Sequence, residues 1–220
     1  MAVDIIIVLF AGYLCFQGYR KGFILTIFDT LGVIISFFLS KEFYHYAENF
    51  LLNNTKLFVK FHDYFETRIT LEDLEKMGKI PVELQKFLNN IMAGEITDTY
   101  AAFIDNLSLL LIRSISFILT FLTIYAGLLL ITALINLIMK LPLLNITNRI
   151  FGAFVGILKS VLILYLVFAL AAPLLSFMQD KPLVQAVLNS ESSKIFYDNN
   201  IILNYLSYKG FYDNYRREEI

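Results

Sequence analysis

The chain has 220 residues, of which 58% are hydrophobic and 17% charged, with a formal net charge of −1. Soluble domains average about 45–50% apolar and about 25% charged residues, so this composition favours a membrane protein. The near-neutral charge and the lack of a basic patch exclude nucleic acid as an expected partner. The single cysteine, Cys15, excludes an intrachain disulfide and a cysteine-rich metal site.

Two apolar stretches open the chain and predict a transmembrane hairpin over residues 1–40. The first runs from Ala2 to Gln17 and the second from Gly22 to Ser40, each close to the roughly 20 residues that cross a bilayer. Their connection, Gly18 to Gly22, is short enough only for a tight hairpin. It contains Arg20 and Lys21 and no acidic residue.

Residues 41–106 differ in kind, since they contain seven Lys/Arg and eleven of the 19 Asp/Glu residues. Lys41 to Phe61 has a helix-like pattern of aromatic and charged residues. Thr70 can N-cap a short helix that ends at Gly78, and Pro81 can begin another. We predict an extramembrane helical subdomain that lies partly on the lipid surface, where aromatic amphipathic faces are stable.

A second transmembrane hairpin is predicted over residues 107–178. Leu107 to Met139 is apolar apart from Arg113, which we place at the outer interface, and the next apolar stretch runs from Ile150 to Phe177. The loop between them contains Lys140 and Arg149 and again no acidic residue. The remaining residues, 179–220, predict a tail of short amphipathic helices.

Together these segments predict an all-α polytopic membrane protein with four transmembrane helices, an extramembrane insert and an amphipathic C-terminal tail. Basic residues concentrate in short cytoplasmic loops. Four residues therefore set the predicted topology, with both hairpin connections in the cytoplasm: Arg20, Lys21, Lys140 and Arg149. We accordingly expect both termini and residues 41–106 on the extracytoplasmic side.

Small residues recur at helical spacing at the start of the second and fourth apolar stretches. In lipid, helices associate where small side chains let their backbones approach, so G-x-x-x-G patterns predict packing surfaces. The residues assigned to helix packing are Gly18, Gly22, Gly152, Gly156 and Ser160.

Three ionisable residues are candidates for charge at membrane depth: Asp29, Lys159 and Arg113. Lys159 lies nine residues after Ile150, about 13 Å into the helix, and Asp29 lies seven residues after Gly22, about 10 Å. Because both helices enter from the same side, the two charges can meet and neutralise one another. Two alternatives stay open. Either Lys159 is buried in the bundle, or it lies at the interface at the start of a span that begins at Ser160, with residues 145–158 interfacial or re-entrant.

The sequence pattern predicts neither a catalytic site nor a metal-binding site. His45 and His62 have no neighbours in sequence that predict a metal site or a nucleophile–base pair. The acidic run Glu72-Asp73-Glu75 predicts a solvated helix face rather than a calcium site. We therefore expect no enzyme activity and no cofactor or metal.

Three segments resemble the colicin V production proteins, a family of bacterial inner-membrane proteins. The first is Asp4 followed by an apolar run into Gly18-Tyr19-Arg20-Lys21-Gly22-Phe23. The second is Asn148-Arg149-x-x-Gly152-x-x-x-Gly156-x-x-Lys159-Ser160, where the family usually has glycine in place of Ser160. The third is Ser193-Lys194-x-Phe196-Tyr197-x-Asn199-Asn200 in the tail.

The resemblance implies a four-span protein of the bacterial cytoplasmic membrane that takes part in production or export of a peptide toxin, or in envelope-linked transport. The alternative is a non-transporting scaffold or oligomeric assembly factor that recruits envelope partners. Expected partners are the lipid bilayer and either further copies of the chain or other membrane proteins.

Overall fold

The computed structural model describes residues 2–68, 99–139, 146–177, 181–198 and 200–208. Every regular element in these ranges is an α-helix and none is a strand, which confirms the predicted all-α class. The helices predicted to start at Thr70 and Pro81, the acidic run 72–75 and the basic residue Lys140 lie outside the described residues.

The helices are numbered here in chain order. They are α1 (Ala2–Lys21), α2 (Phe23–Asn54), α3 (Leu57–Glu66), α4 (Thr99–Met139), α5 (Ile146–Phe177), α6 (Pro182–Leu188), α7 (Glu191–Tyr197) and α8 (Ile201–Tyr208). Four of them contain segments long and apolar enough to cross a membrane, namely Ala2–Lys21, Phe23–Asn54, Ile104–Leu134 and Ile146–Ala172. The prediction of four membrane-spanning helices is confirmed.

All four of these helices extend beyond the predicted stretches, and α2 and α4 do so by the most residues. The helix α2 has 32 residues and α4 has 41, or about 48 Å and about 62 Å at 1.5 Å per residue, whereas the hydrocarbon core is about 30 Å thick. We expected a new element at Lys41, but α2 continues through it to Asn54 because no glycine or proline interrupts residues 33–54. The break comes at Thr55, whose hydroxyl accepts a hydrogen bond from the Leu57 amide at 3.3 Å.

Hydroxyl side chains inside α2 donate their hydrogen bonds to backbone carbonyls of the same helix. Ser36 donates to the Gly32 carbonyl at 2.7 Å and Ser40 to the Ser36 carbonyl at 2.5 Å, and both serines are fully buried. This bonding to the preceding turn removes the need for water, so the helix can run through an apolar environment without an unpaired donor.

The chain divides into two compact units. The first unit consists of residues Met1–Tyr44 and Phe117–Leu164, and the second of His45–Ser116 and Tyr165–Ile220.

The second unit contains two packed regions. In one, α3 packs on the first part of α4 through a buried cluster of Phe65, Ile104, Leu107 and Leu111. In the other, the tail packs on the end of α5, with the Phe168 and Phe196 rings stacked at 5.8 Å between centroids.

Asn200, the last residue of the third family-like segment, fixes this tail. Its side-chain amide donates to the carbonyls of Phe196 at 2.6 Å and Tyr165 at 2.9 Å, and its oxygen accepts from the Leu203 amide at 2.9 Å. A buried amide with all these partners holds the start of α8 against α5.

Candidate functional site

A one-residue connection joins α1 to α2. Gly22 adopts a φ of 79°, a left-handed conformation that is strained for other residues. Its amide donates to the Gly18 carbonyl at 2.8 Å, and its carbonyl accepts from the Thr26 hydroxyl at 2.6 Å. The turn therefore keeps its backbone groups hydrogen-bonded while the chain changes direction.

Four glycines bring the backbone of α5 against this turn and α1, and we call Gly18, Gly22, Gly152 and Gly156 the glycine seam. A Cβ atom built on Gly18 would overlap the Gly152 carbonyl, and one on Gly152 would lie 2.7 Å from the Gly22 Cα. A Cβ on Gly156 would overlap the Leu14 carbonyl. Side chains are thus excluded at the contact, as expected for close helix packing in lipid.

The order of these contacts gives the helix directions. Gly152 meets Gly18 and Gly22, whereas Gly156, one turn later in α5, meets Leu14, one turn earlier in α1. The helix α5 therefore runs antiparallel to α1 in this unit. Ser160, the last of the predicted packing residues, is fully buried and donates to the Ile157 carbonyl at 2.7 Å.

The two residues that open the second family-like segment also contact the turn. The Asn148 side-chain oxygen accepts from the Phe23 amide at 2.9 Å, so it caps α2 from a different helix. The Arg149 guanidinium lies 6.0 Å from the Tyr19 ring centroid. The first and second family-like segments are therefore in direct contact with each other.

Seven residues after the contact between Gly22 and Gly152, α2 and α5 each present a charged side chain. Asp29 follows Gly22 by seven residues and Lys159 follows Gly152 by seven, which is about 10 Å along each helix. The Lys159 ammonium lies 3.9 Å from Asp29 Oδ2. Lys21, at the end of α1, donates a hydrogen bond to the same oxygen. We call these three residues the charge cluster.

The three side chains differ in their access to solvent. Asp29 and Lys159 are 4% and 5% exposed, whereas Lys21 is 36% exposed. Two ammonium groups share one carboxylate, which gives the cluster a formal charge of +1. Removing charges from water is expensive unless they are paired, so the shared carboxylate is the reason Lys159 can be buried here.

Tyr125 of α4 completes the surroundings of Lys159. Its ring centroid lies 5.4 Å from the Lys159 ammonium, within the range of a cation–π interaction. Gly32 lies beside the same ring, since a Cβ on Gly32 would be 3.6 Å from Tyr125 Cε2. Tyr125 is not predictable from the sequence as a site residue, because a tyrosine within an apolar helix gives no signal of which face it occupies.

The structure brings some of the predicted site residues together and separates others. Asp29 and Lys159 are adjacent, and Lys159 is 5% exposed in a helix α5 that is continuous from Ile146. Lys21, assigned only to topology, also joins the cluster.

Arg113 lies in the second unit, where its Nε is 3.3 Å from Glu48 Oε1. Arg20 is exposed, 5.9 Å from the Phe16 ring centroid.

The histidines lie elsewhere. The His45 ring lies beside the Tyr46 ring at an interplanar angle of 37°, with centroids 4.1 Å apart. His62 has Asp63 and Glu66 on one ring nitrogen and Asp105 at 3.4 Å from the other. Possible ligand atoms of His62, Asp63 and Glu66 lie within 4.8 Å of one another, a grouping that the sequence did not lead us to expect. Both carboxylates of that group are exposed, and such groups are common without an ion.

Comparison with known proteins identifies one family. The family model described as Colicin V production protein matches residues 3–200, which include all three resembling segments. No curated protein and no solved structure matches the chain.

Proposed function

The chain belongs to the Colicin V production protein family, and from this premise we propose that it is a membrane component of the production or export of a peptide toxin, with no catalysis of its own. The observation that carries the proposal is the charge cluster, in which Asp29 and Lys159 lie about 10 Å along their helices from the Gly22–Gly152 contact and Lys21 reaches Asp29 from the end of α1. Ionisable residues inside a bilayer are costly and mark functional sites more often than structural ones.

The shared carboxylate gives the cluster a means of responding to its surroundings. Lys21 is partly exposed and Lys159 is buried, yet both depend on Asp29. Loss of the Asp29 charge would leave the buried Lys159 ammonium without its counter-charge. Such a change would favour a different arrangement of α1, α2 and α5, which is the kind of two-state element that a transport step needs.

We further propose that the protein resides in the bacterial cytoplasmic membrane, with both hairpin connections in the cytoplasm. The supporting observation is the absence of acidic residues from both connections, which contain Arg20, Lys21, Lys140 and Arg149. Both termini and residues 41–106 are then extracytoplasmic.

A non-transporting scaffold is the second candidate, and the packing of the first unit favours it. The glycine seam is filled by the chain's own backbones, and Lys159 is almost fully buried. A scaffold of this kind would need the seam for its fold and would tolerate neutral residues in the charge cluster.

The test is secretion of a colicin V-type peptide by a producing strain that lacks its own copy of this protein and carries a variant instead. If the proposal holds, Asp29→Asn and Lys159→Met lower the secreted toxin activity to that of the strain without the protein. Asp63→Asn, which neutralises an exposed carboxylate in the second unit, is the matched control and is expected to secrete normally.

The amount of each variant in isolated membranes is measured in parallel. Normal secretion by both charge-cluster variants, together with failure of Gly152→Leu, contradicts the export role of the cluster and supports the scaffold.

A further inference from the structure

The turn end of the first unit contains several positive charges, of which the charge cluster uses only Lys21. Arg20, Lys21 and Arg149 lie in or next to the α1–α2 turn and the first turn of α5. Residues 17–24 and 146–151 contain no acidic side chain. Lys21 turns toward Asp29, so the two arginines remain without a carboxylate at this end among the described residues.

Arg149 is the more informative of the two arginines. It lies one helical turn before Gly152, on the face of α5 that contacts the turn. Its Nε atom is buried and has no hydrogen-bond partner in the described part of the chain. A buried donor on a cation is costly when unpaired, which points to an acceptor from outside the chain.

The neighbouring groups show what kind of acceptor fits. The Asn148 side-chain oxygen already accepts a hydrogen bond from the Phe23 amide, and the buried donor left without a partner among the described residues here, Arg149 Nε, belongs to a cation. Tyr19 presents its ring to Arg149 on one side, and exposed apolar residues surround the site: Phe16, Phe23, Ile150 and Phe151. An anion with apolar chains attached meets both the charge and the apolar rim.

We propose that Arg149, Arg20 and Tyr19 form a binding site for the phosphate group of an anionic phospholipid, with its acyl chains against the exposed faces of α1 and α5. Arg149 donates to the phosphate through Nε, Arg20 adds a second positive charge from the adjacent helix end, and Tyr19 supports the guanidinium. Basic pockets between membrane helices are known to bind lipid head groups of this class. The site is separate from the export role of the charge cluster and requires only that the chain spans a bilayer.

The test uses the full-length chain purified in an uncharged detergent, with the midpoint of thermal unfolding as the readout. Phosphatidylglycerol is added in one series, phosphatidylcholine with the same acyl chains in a second, and inorganic phosphate in a third. A ligand that binds only the folded state raises the midpoint in proportion to its affinity. We expect phosphatidylglycerol to raise it clearly more than phosphatidylcholine or inorganic phosphate.

The variants assign the effect to the site. Arg149→Gln removes the guanidinium with its buried Nε donor and is expected to weaken the apparent affinity for phosphatidylglycerol about tenfold or more, because a hydrogen bond to a charged group contributes about 1.5–3 kcal/mol. Arg20→Gln changes an exposed side chain, so it is expected to fold normally and to weaken the same affinity by a smaller factor. Lys194→Gln, an exposed lysine in α7, is the matched control and keeps the wild-type response.

Three outcomes overturn the proposal. Equal shifts with phosphatidylcholine remove the requirement for an anionic head group. An equal shift with inorganic phosphate shows a site for free phosphate instead of a lipid. A wild-type response of Arg20→Gln and Arg149→Lys, alongside an Arg149→Gln protein that does not fold, shows that the arginine is structural.

Discussion

Asp29 is the residue on which the first unit depends most at the scale of single side chains. Its carboxylate pairs with two lysines, and the three residues belong to three different helices: Lys21 to α1, Asp29 to α2 and Lys159 to α5. Removing one member of a buried ion pair costs about 3–5 kcal/mol, because the other charge is left without compensation. Lys159, being 5% exposed, has no access to water that could replace Asp29.

Gly152 is the residue at which an added methyl group is expected to do most harm. A Cβ there would overlap the Gly18 carbonyl, and neither backbone can move away without separating the helices. We expect Gly152→Ala to lower the free energy of unfolding by about 1–3 kcal/mol, the usual cost of overpacking. Denaturant unfolding in detergent micelles measures it.

The matched control is Gly12→Ala in α1, where a Cβ meets nothing within 4 Å. Alanine there is expected to leave stability unchanged or to raise it by up to about 1 kcal/mol, since glycine is the poorer helix former. Equal effects of the two substitutions would show that the seam is not a close contact.

Residue patterns in the sequence were sufficient to place Asp29 and Lys159 together, because both positions follow from counting along helices that enter from the same side. The role of Lys21 could not be predicted, since a lysine at a helix end satisfies the topology rule whether or not it reaches a carboxylate. The contacts of Tyr125 with Lys159 and of Asn148 with Phe23 could not be predicted, because each joins helices that are far apart in the sequence.

At the scale of secondary structure, the first turns of α5 hold the α1–α2 connection in place by direct contacts. Asn148 caps Phe23, Phe151 packs edge-on against Phe23 at 5.9 Å, and Gly152 lies against Gly22. Helix N-termini have unsatisfied amides, and here another helix supplies the acceptor. The first and second family-like segments thus form one contact.

Asn148→Ala is therefore expected to lower stability by about 1 kcal/mol, the typical cost of losing an N-cap. It should also raise hydrogen exchange at the start of α2 without affecting α3. Asn53→Ala, an exposed asparagine near the end of α2, is the control. Exchange at residues 23–26 that does not change in Asn148→Ala would contradict the capping role.

Helix existence was predictable from apolar runs, but helix length was not. The sequence predicted an end at Ser40 because charged residues begin at Lys41, yet backbone hydrogen bonding continues through amphipathic residues as easily as through apolar ones. For the same reason α4 begins at Thr99, before the apolar run at Leu107. Hydrophobicity predicts which part of a helix meets lipid, whereas the end of the helix is set by interruptions of its backbone hydrogen bonding, such as the one at Thr55.

At the scale of the whole molecule, four apolar helices and a family match over residues 3–200 identify a polytopic membrane protein. Its orientation is a separate prediction. After Cys15→Ser, single cysteines are introduced at two exposed positions, Glu66 in α3 and Ile146 at the start of α5. In intact cells, a membrane-impermeant thiol reagent is expected to label Glu66→Cys, and Ile146→Cys only after the membrane is permeabilised. The reverse pattern would overturn the topology.

We propose that the charge cluster serves export and does not only stabilise the helix bundle. A single substitution leaves an uncompensated charge, so its loss of function could come from misfolding. The double variant Asp29→Asn/Lys159→Met removes both buried charges, and Lys21 remains solvated because it is partly exposed. Neutral replacement of a buried pair is often tolerated by the fold.

The most direct measurement is therefore toxin secretion by this double variant at a membrane level matched to wild type. If the charge cluster serves export, the double variant folds, with a thermal midpoint close to wild type, and fails to support secretion. Recovery of secretion to the wild-type level in the double variant, after failure of both single variants, would contradict the account and would leave the cluster a structural element of the bundle.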